Sequence, residues 1–166
     1  GASEEDVIDI VGDTLFIPVA VTSLTQHALP SGTSFSREAW LETRVINSES
    51  QELLFSSGFI ADSADLDIND ENLLLFTSYL IDENGDVTNS VSKAYDINKQ
   101  MLPASPSRYH MYRFFGNFDS VNQLDVIIRM KFRAFKPYLL RNDHPELLQN
   151  LPVFEIARLD TILNFN

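Results

Sequence analysis

The chain has 166 residues, a formal net charge of −12 at pH 7 and no cysteine. A chain of this length is expected to form one domain, and the lack of cysteine excludes disulfides, thiolate metal sites and cysteine nucleophiles within it. The acidic charge disfavours nucleic acid and anionic lipid as partners, and the sequence has no apolar run of about 18 residues that would span a membrane.

The first 12 residues form an acidic lead-in, of which residues 1–3 look like a cloning remnant, and residues 13–166 are predicted to form a single β-sandwich domain. The lead-in is acidic where a secretion signal is basic, so any targeting signal is expected outside this stretch. Alternating apolar residues predict the first strand at 13–24, and Pro18 on its other face indicates a sheet edge or a bulge.

The clearest hairpin joins predicted strands at 38–46 and 52–60 through a turn at 47–50. Strict alternation in the first of them is typical of a half-buried strand. Its core-facing residues are Ala39, Leu41, Thr43 and Val45, and its polar face carries Glu38, Trp40, Glu42 and Arg44.

The middle of the chain combines an apolar run with turn signals. The run at 73–81 predicts a strand buried on both faces, with a short helix as the alternative. An Asn-Gly pair at the centre of 82–86 predicts a hairpin turn. The segment 87–94 is then expected to pair back weakly, and 95–107 is expected to be a linker.

The last third of the chain carries the strongest alternation, at 124–135, after an aromatic-rich strand at 108–115. One short helix is predicted within 137–150, and a last strand or docking segment at 152–163. About eight strands without βαβ alternation indicate an all-β fold, namely an antiparallel, immunoglobulin-like β-sandwich with one short C-terminal helix.

Several short motifs occur in a particular order along the chain. They are His-x-Leu-Pro-x-Gly (27–32), Arg-x-x-Trp-Leu-Glu (37–42), Leu-Leu-Phe-Ser-Ser-Gly (53–58), Asp-Glu-Asn-Gly (82–85), Met-Leu-Pro (101–103), Arg-Ala-Phe-Lys-Pro-Tyr-Leu-Leu-Arg (133–141) and Leu-Pro-Val (151–153). In this order and spacing they resemble the haem-free β-sandwich domain found C-terminal to the haem-binding part of many bacterial multihaem c-type cytochromes. Two features depart from that pattern: Gln26 stands where the family usually has Gly, and no Cys-x-x-Cys-His is present.

The resemblance implies a non-catalytic, haem-free accessory domain of a periplasmic or extracellular cytochrome. Such a domain would pack against the haem-bearing region of its parent, or against a redox partner protein, and would shape docking during electron transfer. Haem c would belong to the parent, because this sequence has no motif that attaches it covalently. The alternative is a free-standing extracellular β-sandwich module that binds a glycan or a protein.

No enzyme motif is present in the sequence. Its serines lack a Gly-x-Ser-x-Gly context, and no glycine-rich loop is suited to holding a phosphate. We therefore expect no catalytic residues.

His27 is the histidine that lies inside the motif at 27–32. The resemblance makes it a candidate axial ligand to a haem carried elsewhere in the parent, since a neutral imidazole is a common haem ligand. The alternative is a local hydrogen bond that fixes the loop.

Four aspartates crowd the polar loop that follows the predicted hairpin, namely Asp62, Asp65, Asp67 and Asp70. Calcium prefers several carboxylate oxygens on a loop that wraps around the ion, so these residues are a candidate calcium site. The loop does not match an EF-hand, and the alternative is a set of solvated carboxylates.

A partner surface is predicted from two features of the polar strand faces. Trp40 is a candidate exposed anchor, with packing under a neighbouring loop as the alternative. The basic row Arg129, Lys131 and Arg133 is either a solvated strand face or a surface for an acidic or haem-propionate partner.

Overall fold

A computed structural model describes residues 8–60, 64–105, 107–118, 121–141 and 143–165. Its strands are β1 (Asp9–Val11), β2 (Thr14–Val21), β3 (Glu38–Asn47), β4 (Leu53–Ser57), β5 (Leu75–Ile81), β6 (Val87–Thr88), β7 (Asp96–Gln100), β8 (Arg108–Phe115), β9 (Gln123–Arg133) and β10 (Phe154–Asn164). Helix α1 (Pro137–Leu140) is short, and 3₁₀ helices occupy Val91–Lys93 and Pro145–Asn150. No helix in the described ranges is long and apolar enough to cross a membrane.

The strands form two antiparallel sheets. The smaller sheet has the order β1-β2-β8, and the larger has the order β10-β9-β3-β5-β6, with β4 added to β3 and β7 added to β5. The alternating apolar residues of β2, β3 and β9 meet between the sheets, as the period-two pattern requires. The prediction of an all-β, antiparallel sandwich-like fold is therefore confirmed.

The core lies between β2 and β8 on one side and β3, β5 and β9 on the other. Its fully buried side chains include Leu15, Ile17, Val45, Phe76, Tyr112, Leu124 and Val126. Aromatic rings of β4 and β8 extend it, since Phe55 stacks on Phe114 with ring centroids 5.2 Å apart. Burying such rings contributes both apolar area and ring–ring attraction, so this region anchors the two sheets to each other.

β3 is the central strand of the larger sheet, and most of its polar face is buried: Glu38, Trp40 and Glu42 are buried, and Arg44 is half-buried. β9 pairs with it along its whole length on one side, while β5 and then β4 cover the other side. The loop at 64–68 and helix α1 lie over the polar face at the Glu38 end. The prediction of a half-buried strand is therefore wrong for this face, because alternation identifies shared faces but not what covers them.

Three segments differ from the sequence-based prediction. β1 lies inside the acidic lead-in and pairs with Thr14–Phe16. β7 lies inside the predicted linker and pairs with β5, although most of its residues are polar and exposed, which removes the apolar signal of a strand. The single helix expected within 137–150 is divided into α1 and a 3₁₀ helix that begins at Pro145.

Pro18 lies at a place where its missing N–H is tolerated. β1 pairs with β2 only as far as Phe16, so no described strand adjoins Pro18 on that side. This agrees with the edge position that the sequence indicates.

Gly58, directly after β4, is a position where only glycine fits. Its φ is +65°, and a Cβ there would lie 2.3 Å from the carbonyl oxygen of Leu41. Gly12 has nearly the same φ, +63°, but a Cβ there meets nothing within 4 Å.

An alanine at either glycine would have the same backbone strain, and only the one at position 58 would also clash. We therefore expect Gly58→Ala to lower the free energy of unfolding by about 1–3 kcal/mol more than Gly12→Ala. Urea denaturation of the two variants measures this difference, and equal losses would contradict the clash.

Candidate functional site

The polar faces of β3 and β9 carry a ladder of complementary side chains. Glu38 is opposite Arg133, Trp40 is opposite Lys131, and Glu42 is opposite Arg129 in the antiparallel register. Directly opposite pairs of unlike charge stabilise a sheet, whereas like charges would destabilise it. The register therefore brings two acids of β3 against two bases of β9 on one face.

Glu38 and Arg133 form a buried ion pair at one end of this ladder. Arg133 is 0% exposed, its Nε donates to Oε1 of Glu38, and its Nη1 donates to the carbonyl oxygen of Ala64 at 2.7 Å. Its Nη2 lies 2.5 Å from the same Glu38 oxygen. Burial raises the pKa of Glu38, and the Arg133 guanidinium opposes that shift. The Arg133 guanidinium is thus held by the Glu38 carboxylate and by one backbone carbonyl oxygen.

Lys136 is a second buried cation beside this pair, with a side chain that is 2% exposed. Its Nζ donates to the carbonyl oxygen of Ser78 at 2.9 Å and lies 4.2 Å from the ring centroid of Tyr79. Burial lowers the pKa of Lys136 to about 8, with Glu38 opposing the shift. Burial also raises the pKa of Tyr138, the next aromatic neighbour, to about 12.

These three charged side chains line a cavity of about 580 Å³. We call Glu38, Arg133 and Lys136 the basal cluster. The remaining lining residues are mainly apolar or aromatic and comprise Asp65, Leu66, Ile68, Leu75, Tyr79, Val87, Asn89 and Tyr138. A concave site with apolar walls and a few convergent polar groups is typical of small-molecule binding.

The lowered pKa of Lys136 makes stability depend on pH. Its ordinary pKa is 10.5 and its folded value is about 8, so the unfolded chain binds more protons between these values. The free energy of unfolding of the wild type, measured relative to a variant with a neutral residue at position 136, therefore rises with pH between about 8 and 10.5. The other titratable groups facing Lys136 are Glu38, Asp65, Tyr79, Arg133 and Tyr138.

We expect the unfolding free energy of the wild type, relative to Lys136→Met, to increase from pH 8 upward. Measurements stay below the ordinary tyrosine pKa of 10.0, because Tyr138 begins to contribute there. Lys99→Met, which removes an exposed lysine of β7, serves as the control and should run parallel to the wild type. If the unfolding free energy of Lys136→Met also changed with pH in parallel with that of the wild type, the lowered pKa of Lys136 would be contradicted.

The structure corrects the predicted role of Trp40 as an exposed anchor. The side chain is 0% exposed, its Nε1 donates to the carbonyl oxygen of Gly58 at 2.9 Å, and the Arg133 guanidinium lies 5.3 Å from its ring. Trp40 therefore packs under the segment after β4, which is the alternative reading of its position. Arg133 is buried too, so neither residue is available to a partner at the surface.

Arg129 and Lys131 are partly exposed, but acids of the same chain neutralise them. Arg129 lies 3.3 Å from Glu42 and 3.6 Å from Glu155, and Lys131 lies 3.4 Å from Glu155. The predicted basic row is therefore not a free positive surface. A partner role for its two accessible members stays a prediction.

His27 lies on an exposed loop between β2 and β3. The loop is attached two residues later, where the backbones of Leu29 and Leu102 exchange hydrogen bonds at 2.8 and 2.9 Å. Among the described residues, the His27 ring has no hydrogen-bond partner, and the backbone carbonyl of His27 accepts from Thr25. The imidazole is thus free to meet a group outside this chain, and its ligand role stays a prediction.

The described aspartates of the predicted calcium loop face different protein donors. Asp65 pairs with Arg141, Asp67 accepts from Asn69, and Asp70 accepts from Ser57 and from the backbone of Gly58. In the described part of the chain, no three acidic, histidine or cysteine side chains lie together as a metal site. Asp65, Asp67 and Asp70 are therefore not brought together, and Asp62 lies outside the described residues.

Sequence reasoning missed the basal cluster. Glu38 and Arg133 were each visible on the polar face of an alternating strand, and Lys136 follows three residues later. The sequence does contain one signal of this cluster. An acid lies on the polar face of one alternating strand, and a base lies on the polar face of another. Only the register shows that the acid and the bases meet.

The fold of this chain is similar to that of a known protein. No family model matches the chain, and no curated protein matches it. The chain is similar to the crystal structure of a penta-heme cytochrome c552 from Thermochromatium tepidum, with a TM-score of 0.67 and 19% sequence identity. The match covers 95% of this chain and 38% of that chain, so this chain spans less than half the length of its neighbour. At this identity the likeness shows a shared fold.

Proposed function

We propose that this chain is a haem-free, non-catalytic accessory domain of a multihaem c-type cytochrome that works outside the cytoplasm. The observation that carries the proposal is the match to part of a penta-heme cytochrome, which takes in 95% of this chain. The order of motifs between residues 27 and 153, which resembles such accessory domains, adds to it. The domain packs against the haem-bearing region and shapes the surface on which redox partners dock.

The edge of the larger sheet supports a packing role. β10 is an edge strand, and Phe154, Ile156 and Leu159 are exposed on it. Leu159 is 57% exposed although it lies opposite Ile128, which is buried in the core. Exposed apolar side chains clustered on an unpaired edge are typical of an interface. We infer that the haem-bearing region covers this edge.

The coding sequence that flanks this chain provides the direct test. We expect several Cys-x-x-Cys-His motifs in the same open reading frame, and a purified chain without a Soret band. A frame without such motifs would overturn the proposal and favour a free-standing extracellular module that binds a glycan or protein. A Soret band from haem covalently bound to this chain alone would also overturn it.

His27 has a specific part in this proposal, as the second axial ligand of one parent haem. Its ring has no partner among the described residues, and Pro30 restricts the loop, which reduces the entropy lost on ligation. In the full-length parent, His27→Ala should convert one low-spin haem to high spin in the visible and electron paramagnetic resonance spectra. His144→Ala, at another exposed histidine, is the control and should leave the spectra unchanged. An unchanged spectrum for His27→Ala would leave His27 a loop residue.

A further inference from the structure

The cavity above the basal cluster has a buried ammonium group, that of Lys136, at its base. Arg133 is also fully buried, but its Nε and Nη2 both lie 2.5 Å from one oxygen of Glu38, so its charge is paired. Lys136 is 2% exposed, and its Nζ donates to the carbonyl oxygen of Ser78, so a further acceptor placed beside this ammonium would be favourable. Asp65 lies at the margin of the same cavity and pairs with Arg141.

The base of the cavity carries an excess of positive charge. Glu38 is the single carboxylate that contacts Arg133, while Asp65 is engaged by Arg141. In the described ranges, no carboxylate lies within ion-pair distance of the Lys136 ammonium, which rests on a backbone carbonyl and the Tyr79 ring. Glu38 and Asp65 are each paired with an arginine, so Lys136 is the buried cation that has no carboxylate partner among the described residues. A buried charge without a counterion is costly, and an incoming anion would compensate it.

The walls of the cavity suit an apolar body. Leu66 and Leu75 line it on the inside, Tyr79 and Tyr138 present aromatic rings, and Val87 stands exposed at the rim. The volume of about 580 Å³ lies within the range of small-molecule sites. A ligand that fits would therefore place one anionic group at the base and an aromatic or branched aliphatic group between the tyrosines.

We propose that this cavity binds a small organic monocarboxylate with an apolar body, held by the ammonium group of Lys136. This site is separate from the proposed packing of β10 against a haem-bearing region, because it lies beside helix α1 on the β3–β5 side of the sheet. It stands or falls independently of the accessory role. The site gives this chain a ligand-binding function of its own.

Isothermal titration of the purified chain with 3-phenylpropanoate at pH 7 tests the proposal. We expect saturable one-to-one binding of 3-phenylpropanoate. 3-Phenylpropanamide, which has the same apolar body without the charge, should bind at least about tenfold more weakly than the acid. The comparison needs no variant, so it is decisive even if substitutions at the cluster impair folding. Absence of saturable binding, or equal binding of the acid and the amide, would overturn the proposal.

Two matched variants locate the binding. Lys136→Met keeps most of the aliphatic stem and removes the charge, and it should weaken 3-phenylpropanoate binding about tenfold or more. Lys99→Met removes an exposed lysine on β7, opposite Ser78 in the register and absent from the cavity lining, and it should bind like the wild type. Equal losses in both variants would mean that general surface charge attracts the anion, and the proposal would be wrong.

Discussion

Glu38→Ala should lower the free energy of unfolding by about 3–5 kcal/mol, as expected for removal of one partner from a buried ion pair. The substitution leaves the buried Arg133 guanidinium without its carboxylate and removes an acid whose charge acts on Lys136. Urea denaturation followed by far-ultraviolet circular dichroism measures the loss. A value below about 1 kcal/mol would mean that the pair is solvated in solution.

The control for Glu38 is a more exposed acid on the neighbouring strand β10. Glu155 contacts Arg129 and Lys131 at 3.6 and 3.4 Å, but its side chain is 36% exposed. Solvent screens such a pair, so Glu155→Ala should cost about 0–1 kcal/mol. In the double variant Glu38→Leu/Arg133→Met, part of the stability should return, because no unpaired guanidinium remains in the interior.

Trp40→Ala should lower the free energy of unfolding by about 3–5 kcal/mol, the range for truncating a large buried aromatic side chain. The ring is 0% exposed between the segment after β4 and Arg133, and its truncation leaves both a void and an unpaired Gly58 carbonyl. Thermal or urea denaturation measures the effect. An almost neutral result would restore the reading of Trp40 as a surface anchor.

Two further variants separate the contributions at Trp40. Trp40→Phe keeps an aromatic ring but removes the Nε1 donor, and it should cost about 1–3 kcal/mol for the unpaired carbonyl. Tyr95→Ala removes an aromatic side chain that is 83% exposed, and its effect should stay within about 0.5 kcal/mol. If Tyr95→Ala were as damaging as Trp40→Ala, burial would not be the cause.

The proposed carboxylate site and the proposed accessory role are tested by different experiments. The proposed accessory role is tested by the flanking coding sequence and by haem spectra of the expected parent protein. The carboxylate site is tested on the purified chain alone, because the basal cluster belongs to β3, β9 and the residues before α1. The outcome of the ligand titration therefore does not decide the accessory role, and the haem-related tests do not decide the carboxylate site.

Local features of the sequence determined the fold class and much of the strand pattern. Period-two alternation located β2, β3 and β9 and identified which of their residues share a core-facing side. The Asn-Gly turn predicted the β5–β6 hairpin, where Gly85 has a φ of +88°. These signals depend on residues close together in the chain, so they are readable without the fold.

The tertiary structure alone decided what covers each strand face. Alternation put Glu38 and Trp40 on one side of β3, but whether that side meets water depends on the loop and helix that lie over it. The pairing of Glu38 with Arg133 depends on the register between strands 95 residues apart. Polar β7 pairs because β5 offers it an edge. Burial, charge pairing and the cavity are long-range properties, because they arise only where distant segments pack together.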